Sequence, residues 1–208
     1  MKIVVLGATG GTGMQLVRQA LAQGHAVKAF VRNAAGLNEF KGQIKIAEGN
    51  VLDRTSLARV LSGHDAVLSG FGPRIPLAKS DVHLLESFAA VLAGAMQDSG
   101  VRRAIVISTA FLFKDSIVPP VYLLGKLLFP AVVRDSQALE TIFQSGNLDW
   151  TLVRPPELTN GPPTGKYRVR LNHLPRFGFR ISRADVADYF VRALNDRSVL
   201  RQVVGVCY

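Results

Sequence analysis

Short apolar runs recur along the chain and predict buried β-strands. Each run is nearly continuous in Val, Ile, Leu and Ala, without the polar alternation of a strand that has one face in water. Strands buried on both faces are typical of parallel sheets, which helices cover on each side. The runs lie at 2–7, 26–31, 43–48, 66–70, 104–108 and 150–154.

Helical patterns lie between these runs, at 11–23, 54–62, 79–98 and 133–145. A glycine follows each of them shortly before the next strand, namely Gly24, Gly63, Gly100 and Gly146. Glycine there supplies the left-handed residue that satisfies the last helical carbonyl groups. The repeated order of strand, helix, glycine and strand predicts an α/β chain built from βαβ units.

The pattern changes after Arg154. Residues 155–181 are rich in proline, glycine and basic side chains, and are too long for a plain connection. A helix is predicted to restart at 183–195 behind a capping-box-like Ser182, and the run 201–208 predicts a final strand. We expect 155–181 to be an insertion that caps the carboxyl edge of the sheet and shapes a substrate pocket.

The phosphate-binding feature of the sequence is the loop GATGGTG, from Gly7 to Gly13. It follows the first strand and opens the first helix, with glycines spaced as GxxGxxG and an extra Gly11. The first glycine permits a tight turn, the middle ones let N–H groups approach a diphosphate, and the last allows close helix–strand packing. The helix N-terminus adds free N–H donors, and the hydroxyl groups of Thr9 and Thr12 can donate to phosphate. The context predicts a dinucleotide site.

Length and composition agree with one such domain. The 208 residues suffice for a single α/β domain and not for two, and 48% hydrophobic residues is ordinary for a globular protein. We therefore predict one NAD(P)-binding Rossmann domain over 1–208. Its fold class is α/β, a doubly wound parallel sheet with a small C-terminal substrate-capping region.

The end of the second strand favours NADP(H) over NAD(H). Sites that prefer NAD place an acidic residue there for the ribose 2′-OH, whereas this chain has Arg32 and no acid before Glu39. A guanidinium group can bind the 2′-phosphate of NADP in a bidentate way. The alternatives are that Arg32 is simply solvated or stacks on the adenine. Asn50 and Val51 suit contact with the adenine edge, and Asp53 suits the N-cap of the next helix.

The basic residues behind the net charge of +10 are not clustered in the sequence. Basic residues are scattered and form no run interleaved with aromatic residues, so we expect no nucleic-acid partner. The charge is either a solvated basic surface or a field that attracts phosphate-bearing cofactors and acidic substrates.

Cysteine usage and hydropathy point to the cytoplasm. Cys207 is the single cysteine and cannot form an internal disulfide, which is typical of a reducing compartment. The apolar N-terminal run is broken at once by glycines, unlike a signal peptide. The run 117–133 holds three prolines and Lys126, and is shorter than the ~20 residues of a spanning helix. We expect no membrane segment.

Several segments together resemble a known family. GATGGTG, FVRN (30–33), EGNVLD (48–53), VISTAF (106–111) and SGNLDW–TLVRPP (145–156) are similar to the atypical, extended-type short-chain dehydrogenase/reductase group of NAD(P)H-binding proteins. Over most of the chain the pattern most resembles the biliverdin-IXβ reductase/flavin reductase (NADPH) family. Such proteins use NADPH to reduce flavins or open tetrapyrroles by hydride transfer.

The resemblance implies which residues contact the cofactor. They are the loop glycines and threonines, Arg32, Asn50, Val51, Gly70, Phe71, Gly72, Arg74, Ser108, Thr109, Pro155, Pro156 and Glu157. Arg74 is expected near phosphate, and Ser108 and Thr109 beside the nicotinamide. Two positions depart from the pattern, because Asn50 stands where the family usually has Asp and Glu157 where the biliverdin reductases have His. These departures affect the substrate more than the cofactor.

The catalytic residues are open between two readings. Many short-chain dehydrogenases pair a Tyr with a Lys four residues later, and Tyr122 and Lys126 have this spacing. In the extended-type relatives the corresponding slots fall near Val132 and Ser136, and prolines interrupt the helix that would present Tyr122. The other reading is an apolar lid with a snorkelling lysine.

Without that pair, a weak donor such as Ser108 or Thr109, or water, would supply the proton, and alignment would supply much of the rate. The phenylalanines at 111, 113, 177 and 179 and the apolar run 117–133 are candidates for a wall against a planar substrate, or are ordinary core. The histidines show no metal-ligand spacing, and we predict no metal.

Three functions are consistent with these features. The first is an NADPH-dependent reductase of a planar acceptor, such as a flavin, bilin or quinone. The second is a non-catalytic regulator that senses NADP, and the third is a Tyr–Lys carbonyl reductase or epimerase. We expect a small planar or acidic substrate and a monomer or homodimer.

Overall fold

The computed structural model describes residues 1–73, 83–113, 127 and 129–208. Its strands are β1 (Lys2–Leu6), β2 (Ala26–Val31), β3 (Lys45–Glu48), β4 (Ala66–Ser69), β5 (Arg103–Ile107), β6 (Asp149–Arg154), β7 (Glu157–Thr159), β8 (Arg168–Leu171), β9 (Arg180–Ser182) and β10 (Gln202–Cys207). The described α-helices are α1 (Gly11–Ala22), α2 (Arg54–Leu61), α3 (Leu84–Ser99), α4 (Pro130–Ser145) and α5 (Arg183–Ala193).

Eight strands form one central sheet in the order β3-β2-β1-β4-β5-β6-β10-β8. Every neighbouring pair is parallel except β10 with β8, which is antiparallel. The order β3-β2-β1-β4-β5-β6 is that of a Rossmann-type sheet. The predicted doubly wound α/β fold is confirmed, and the order in which strands are added to the sheet reverses between β1 and β4.

Alternation along β1 divides the core into two layers. Ile3 and Val5 belong to the apolar cluster that includes buried side chains of α1 and α5. Val4 and Leu6 belong to the opposite cluster, which includes buried side chains of α2, α3 and α4. Because successive side chains of a strand point to opposite faces, the continuous apolar run of β1 fills both layers.

Helix ends follow the predicted glycine pattern at three positions and depart from it at one. Gly24, Gly63 and Gly100 have φ values of 73° to 75°, in the left-handed region. Gly146 is extended instead, with φ −95° and ψ 174°, so the prediction there is wrong. The turn after α4 is held by side chains, because Arg102 donates to the carbonyl of Asn147 at 2.6 Å.

Three strands that the sequence pattern did not predict, β7, β8 and β9, lie between residues 157 and 182. β7 pairs with β9, while β8 forms an antiparallel edge beside β10. Ser182 caps α5 as expected, since its Oγ accepts from the Asp185 N–H at 3.0 Å. The Asp185 carboxylate accepts from Thr164, Gly165 and the Tyr208 hydroxyl, and so ties the segment 155–181 to the last residue of the chain.

A carboxylate of α4 caps the start of α3. Asp135 Oδ2 and Oδ1 accept from the N–H groups of Leu85 and Glu86 at 2.8 and 2.9 Å. His83 at the N-cap position is left-handed, with φ 67°, and its side chain makes no cap. Two of the orphan N–H donors of α3 are therefore satisfied by a neighbouring helix. None of the described helices has the length and apolar composition needed to cross a membrane.

Candidate functional site

The loop after β1 is shaped by contacts that exclude side chains. Gly7 has φ 73°, and a Cβ atom there would lie 2.8 Å from the Phe71 nitrogen. A Cβ at Gly13 would lie 2.0 Å from the Gly7 oxygen, which no rearrangement of side chains could relieve. The loop therefore packs as closely as a dinucleotide turn requires.

The first turn of α1 presents unpaired N–H groups. Gly10 is the N-cap residue, and no side chain caps the helix. The first backbone bond of the helix runs from Met14 N to Gly10 O at 2.9 Å. The amides of Gly11, Thr12 and Gly13 precede that bond and have no intrahelical acceptors. Together with the helix dipole, such a turn binds anions.

A cleft of about 760 Å³ extends from this loop across the carboxyl ends of the strands. Its lining residues are Gly7, Thr9–Thr12, Phe30–Arg32, Val51, Gly70–Pro73, Leu85, Ile107–Thr109, Val132, Ser136, Leu158 and Arg183. The cleft opens where the order of strand addition reverses, between β1 and β4. Ligands of open α/β sheets bind at such a switch point.

The structure brings most of the predicted cofactor contacts into this cleft. Gly7, Thr9, Gly10, Gly11, Thr12, Arg32, Val51, Gly70, Phe71, Gly72, Ser108 and Thr109 all line it. Gly13, Asn50, Pro155, Pro156 and Glu157 do not line it. Arg74, Tyr122 and Lys126 lie outside the described residues.

Two of the residues outside the cleft have other contacts. Asn50 Oδ1 accepts from the Leu52 N–H at 3.0 Å, so its side chain closes its own turn. Glu157 is exposed and its N–H bonds the carbonyl of Phe179, as part of the small sheet. From the segment 155–181, Leu158 rather than the predicted residues reaches the cleft.

Arg32 stands at the end of β2 as an exposed cation. No carboxylate in the described part of the chain forms an ion pair with it. Glu39, the next acid in the sequence, is instead paired with Arg18, with 2.5 Å between Nη2 and Oε2. Glu48 at the end of β3 accepts from the Ala34 N–H. The end of β2 therefore carries positive charge toward the cleft.

Ser108 bonds to a buried ion pair. Its Oγ donates to Glu140 Oε1 at 2.5 Å, and the same carboxylate receives Nε and Nη2 of Arg154 at 2.8 and 2.5 Å. The Glu140 side chain is 4% exposed, and the Arg154 guanidinium lies 4.5 Å from the Phe113 ring centroid. An ionised carboxylate only accepts, so the proton of Ser108 is committed to Glu140. This bond argues against Ser108 as a proton donor.

Thr109 has the complementary arrangement. Its Oγ1 accepts from the Phe111 N–H at 3.3 Å, and no described residue accepts its hydroxyl proton. Ser108 thus presents lone pairs to the cleft, whereas Thr109 can present a proton. Sequence reasoning could not separate the two residues, because Glu140 lies thirty-two positions away from Ser108.

Helix α4 places Val132 and Ser136 on the cleft, one helical turn apart. These are the slots at which the sequence comparison expected the Tyr–Lys pair of extended-type relatives. Val132 and Ser136 cannot replace the Tyr–Lys pair in acid–base catalysis, because they carry neither a phenol nor an amine. The proposed phenylalanine wall is not formed by its described members, because Phe177 and Phe179 are 78% and 51% exposed and none of the four lines the cleft.

One lining residue was missed by the sequence analysis, which treated it only as part of a helix start. Arg183 is the first residue of α5, and its side chain lies over the glycine loop. A Cβ added at Gly11 would lie 2.9 Å from its Cδ. A cation in the first turn of a helix interacts unfavourably with the helix dipole. This unusual position is the signal in the sequence that could have identified Arg183 as a candidate site residue.

The fold and the glycine loop define a Rossmann-type dinucleotide-binding protein. Residues 7–197 match the model of the NAD(P)H-binding family, and the chain belongs to that family. An uncharacterized chloroplastic protein of Arabidopsis thaliana is 32% identical over 99% of this chain and 76% of its own length.

Solved structures give the same fold. A wide-type short-chain dehydrogenase/reductase of Veillonella parvula, in complex with NADP, has a TM-score of 0.84 at 19% identity, over 100% of this chain and 94% of the other. ChuY of Escherichia coli O157:H7, described as an anaerobillin reductase, has a TM-score of 0.81 at 22% identity, over 100% and 97%. At these identities the similarity establishes the fold alone.

Proposed function

We propose that the protein is an NADPH-dependent reductase that passes hydride to a small planar acceptor, such as a flavin, a bilin or a quinone. The observation that carries the proposal is the pairing of two anion sites along one cleft. One is the uncapped first turn of α1, and the other is the cation Arg32 at the end of β2. A diphosphate and a 2′-phosphate on the same ligand match this pair.

The residues present fit that cofactor. Gly7 and Gly13 pack against backbone atoms with no room for a side chain, as the tight turn and close helix–strand packing of a dinucleotide loop require. β2 itself ends in no acid, Glu39 is paired with Arg18, and Glu48 at the end of the neighbouring β3 accepts from the Ala34 N–H. When bound, the nicotinamide supplies the hydride, and the protein supplies binding, orientation and electrostatics.

The two residues of α4 that line the cleft support a planar electron acceptor. Val132 and Ser136 provide neither a phenol nor an amine, so chemistry that needs a strong general acid at those slots is disfavoured. Thr109 would donate a proton, and Ser108, held by Glu140, would accept a hydrogen bond from the ligand. Reduction of a planar, conjugated acceptor requires alignment more than strong acid catalysis.

The type of reductase is proposed from the resemblance of the sequence to a known family. We propose a reductase of the biliverdin-IXβ reductase/flavin reductase type, and the description of the fold neighbour ChuY as an anaerobillin reductase supports a bilin-like acceptor. We propose that 1–208 act as one domain and that 155–181 shapes the substrate pocket, which the position of Leu158 supports. The free, buried Cys207 supports a cytoplasmic location.

The proposed binding of NADP(H), and its preference over NAD(H), is tested by calorimetric titration with NADP⁺ and NAD⁺. We expect Arg32→Ala to raise the Kd for NADP⁺ by about tenfold to a hundredfold and to leave the Kd for NAD⁺ unchanged. Arg59→Ala, a surface change of the same charge on α2, is the matched control. Equal affinity of the wild type for both dinucleotides would remove the NADP preference, and no binding of either would overturn the proposal.

The reaction is tested by NADPH oxidation against FMN, riboflavin, a quinone and biliverdin. Consumption of NADPH with at least one acceptor is expected, with Thr109→Ala and Tyr122→Phe assayed beside the wild type. Tight binding without turnover of any acceptor would favour the NADP-sensing regulator instead. Loss of activity in Tyr122→Phe alone would favour the Tyr–Lys carbonyl reductase or epimerase.

A further inference from the structure

Arg183 brings a second cation to the phosphate loop from the opposite end of the chain. Its side chain crosses Gly11, where a Cβ atom would lie 2.9 Å from Cδ and 3.0 Å from Nε. Any other residue at position 11 would have to displace it. The glycine therefore accommodates the arginine as well as a ligand, and the guanidinium group faces the same cleft.

The described residues provide no counter-ion for the charge of Arg183. Its Nη1 donates to the Leu158 carbonyl at 3.1 Å and to Asn160 Oδ1 at 2.7 Å, and both acceptors are neutral. No carboxylate among the described residues pairs with it. These two bonds fix the direction of the guanidinium group and leave its remaining N–H groups for another acceptor.

The position at the start of α5 gives no reason for a cation. The N-terminus of a helix carries partial positive charge, so an arginine in the first turn is disfavoured there. Ser182 already caps the helix, and Asp185 supplies the favourable negative charge. The arginine is better explained by an anion beside Gly11 than by the helix that carries it.

We infer that Arg183 binds the diphosphate of the dinucleotide, opposite the amides of the first turn of α1. The inference rests on the proposed function and adds a second contact to it. Arg32 would recognise the 2′-phosphate and thus select NADP over NAD, whereas Arg183 would hold the group that both dinucleotides share. A diphosphate accepts such forked donors in a bidentate way.

The contact also joins the cofactor to the segment 155–181. Leu158 and Asn160 belong to that segment, and both hold the Arg183 side chain in place. Leu158 lines the cleft as well. A bound diphosphate would therefore order the arginine and, through these two bonds, the part of the segment next to the substrate. Binding of the cofactor would prepare the substrate side of the cleft.

The first experiment compares Arg183→Gln with Arg192→Gln, a matched change on the same helix whose arginine pairs with Asp188 and does not line the cleft. We expect Arg183→Gln to raise the Kd for NADP⁺ and for NAD⁺ by the same factor, about tenfold to a hundredfold. Arg183→Lys should recover part of this loss, because it restores the charge without the fork. The affinity for 2′-AMP, which has no diphosphate, should not change.

A second measurement needs no variant and so does not depend on folding of Arg183→Gln. Phenylglyoxal modifies accessible arginines of the wild type, and mass spectrometry locates the adducts. We expect NAD⁺ to protect Arg183 but not Arg192, and NADP⁺ to protect Arg32 in addition. Equal modification of Arg183 with and without NAD⁺, or an unchanged Kd in Arg183→Gln, would overturn the inference while leaving the proposed function intact. Absence of any dinucleotide binding by the wild type would instead overturn the proposed function.

Discussion

The hydroxyl of Ser108, at the end of β5, donates to the carboxylate of Glu140 on α4, with 2.5 Å between the two oxygens. The carboxylate is almost fully buried and is also held by Arg154. Because the hydroxyl proton of Ser108 is used in this bond, Ser108 can act only as a hydrogen-bond acceptor toward a ligand in the cleft. The hydroxyl proton of the neighbouring Thr109 has no acceptor among the residues that the structure describes. Two adjacent hydroxyl groups therefore have opposite hydrogen-bonding roles.

This difference predicts unequal effects of two substitutions. Thr109→Ala should lower kcat for acceptor reduction by about a hundredfold, the usual effect of removing a proton donor. Ser108→Ala should raise KM for the ligand and change kcat less, since an accepting group acts in binding. Steady-state kinetics with the best acceptor of the panel measures both. A larger fall of kcat in Ser108→Ala would contradict these roles.

The buried ion pair should be essential to stability. Glu140→Gln leaves the Arg154 guanidinium buried without a counter-charge, and we expect a loss of about 3–5 kcal/mol in the free energy of unfolding. Glu39→Gln, at the exposed pair with Arg18, should cost about 0–1 kcal/mol. Urea unfolding followed by circular dichroism compares the two variants. Equal losses would mean that burial of the Glu140 pair has no consequence.

Two glycines of the site, Gly13 in the phosphate loop and Gly72 after β4, should differ in their tolerance of substitution. A Cβ at Gly13 would overlap the Gly7 oxygen at 2.0 Å, so Gly13→Ala should abolish dinucleotide binding and lower the melting temperature. A Cβ at Gly72, after β4, meets no atom of the described residues within 4 Å, and Gly72→Ala should fold as the wild type does. Thermal melts with and without NADP⁺ distinguish the two. Normal binding by Gly13→Ala would contradict the close packing of the loop.

Stability should depend on pH through Asp185. Burial raises the pKa of this carboxyl group, but donors from Tyr208, Gly165 and Thr164 outweigh it, and the net pKa lies below 3.8. Such a group contributes stability above its unfolded pKa and loses it as the pH falls through the folded pKa. Asp185→Asn should therefore be less stable than the wild type at about pH 6, with a difference that shrinks below about pH 4.

Tyr208→Phe is the companion variant for this test. It keeps the Asp185 carboxylate and removes one donor to it, at an expected cost of about 1–2 kcal/mol. Denaturant unfolding across the acid range measures all three proteins. Parallel pH profiles of the wild type and Asp185→Asn would show that the ionised carboxylate contributes nothing.

Local pattern was sufficient to predict most of the sheet and the phosphate loop. The strands that became β1, β2 and β6 lie within one residue of their predicted bounds, because continuous apolar runs leave little choice of structure. The glycine loop was recognisable for the same reason, since its spacing and its place between strand and helix are local. Arg32 was found from its position one residue beyond β2.

Contacts between distant parts of the chain could not be predicted in this way. β8 carries Arg168 and Arg170, and nothing in its exposed, alternating sequence shows that it pairs with β10. Glu140 looked like one polar position of a helix, and its role depends on Ser108 and Arg154 across the fold. Arg183 lies far from Gly11 in sequence, and their contact depends on the packing of α5 beside α1.

Asp135 of α4 has a consequence for the shape of the cleft. Both carboxylate oxygens of Asp135 bind N–H groups at the start of α3, so this residue ties α4 to α3. Leu85 and Ser136 come from these two helices and line the cleft, whereas Asp135 does not. A carboxylate outside the cleft therefore holds together two helices that form part of its wall, and a substitution there would alter the wall without changing any residue that a ligand touches.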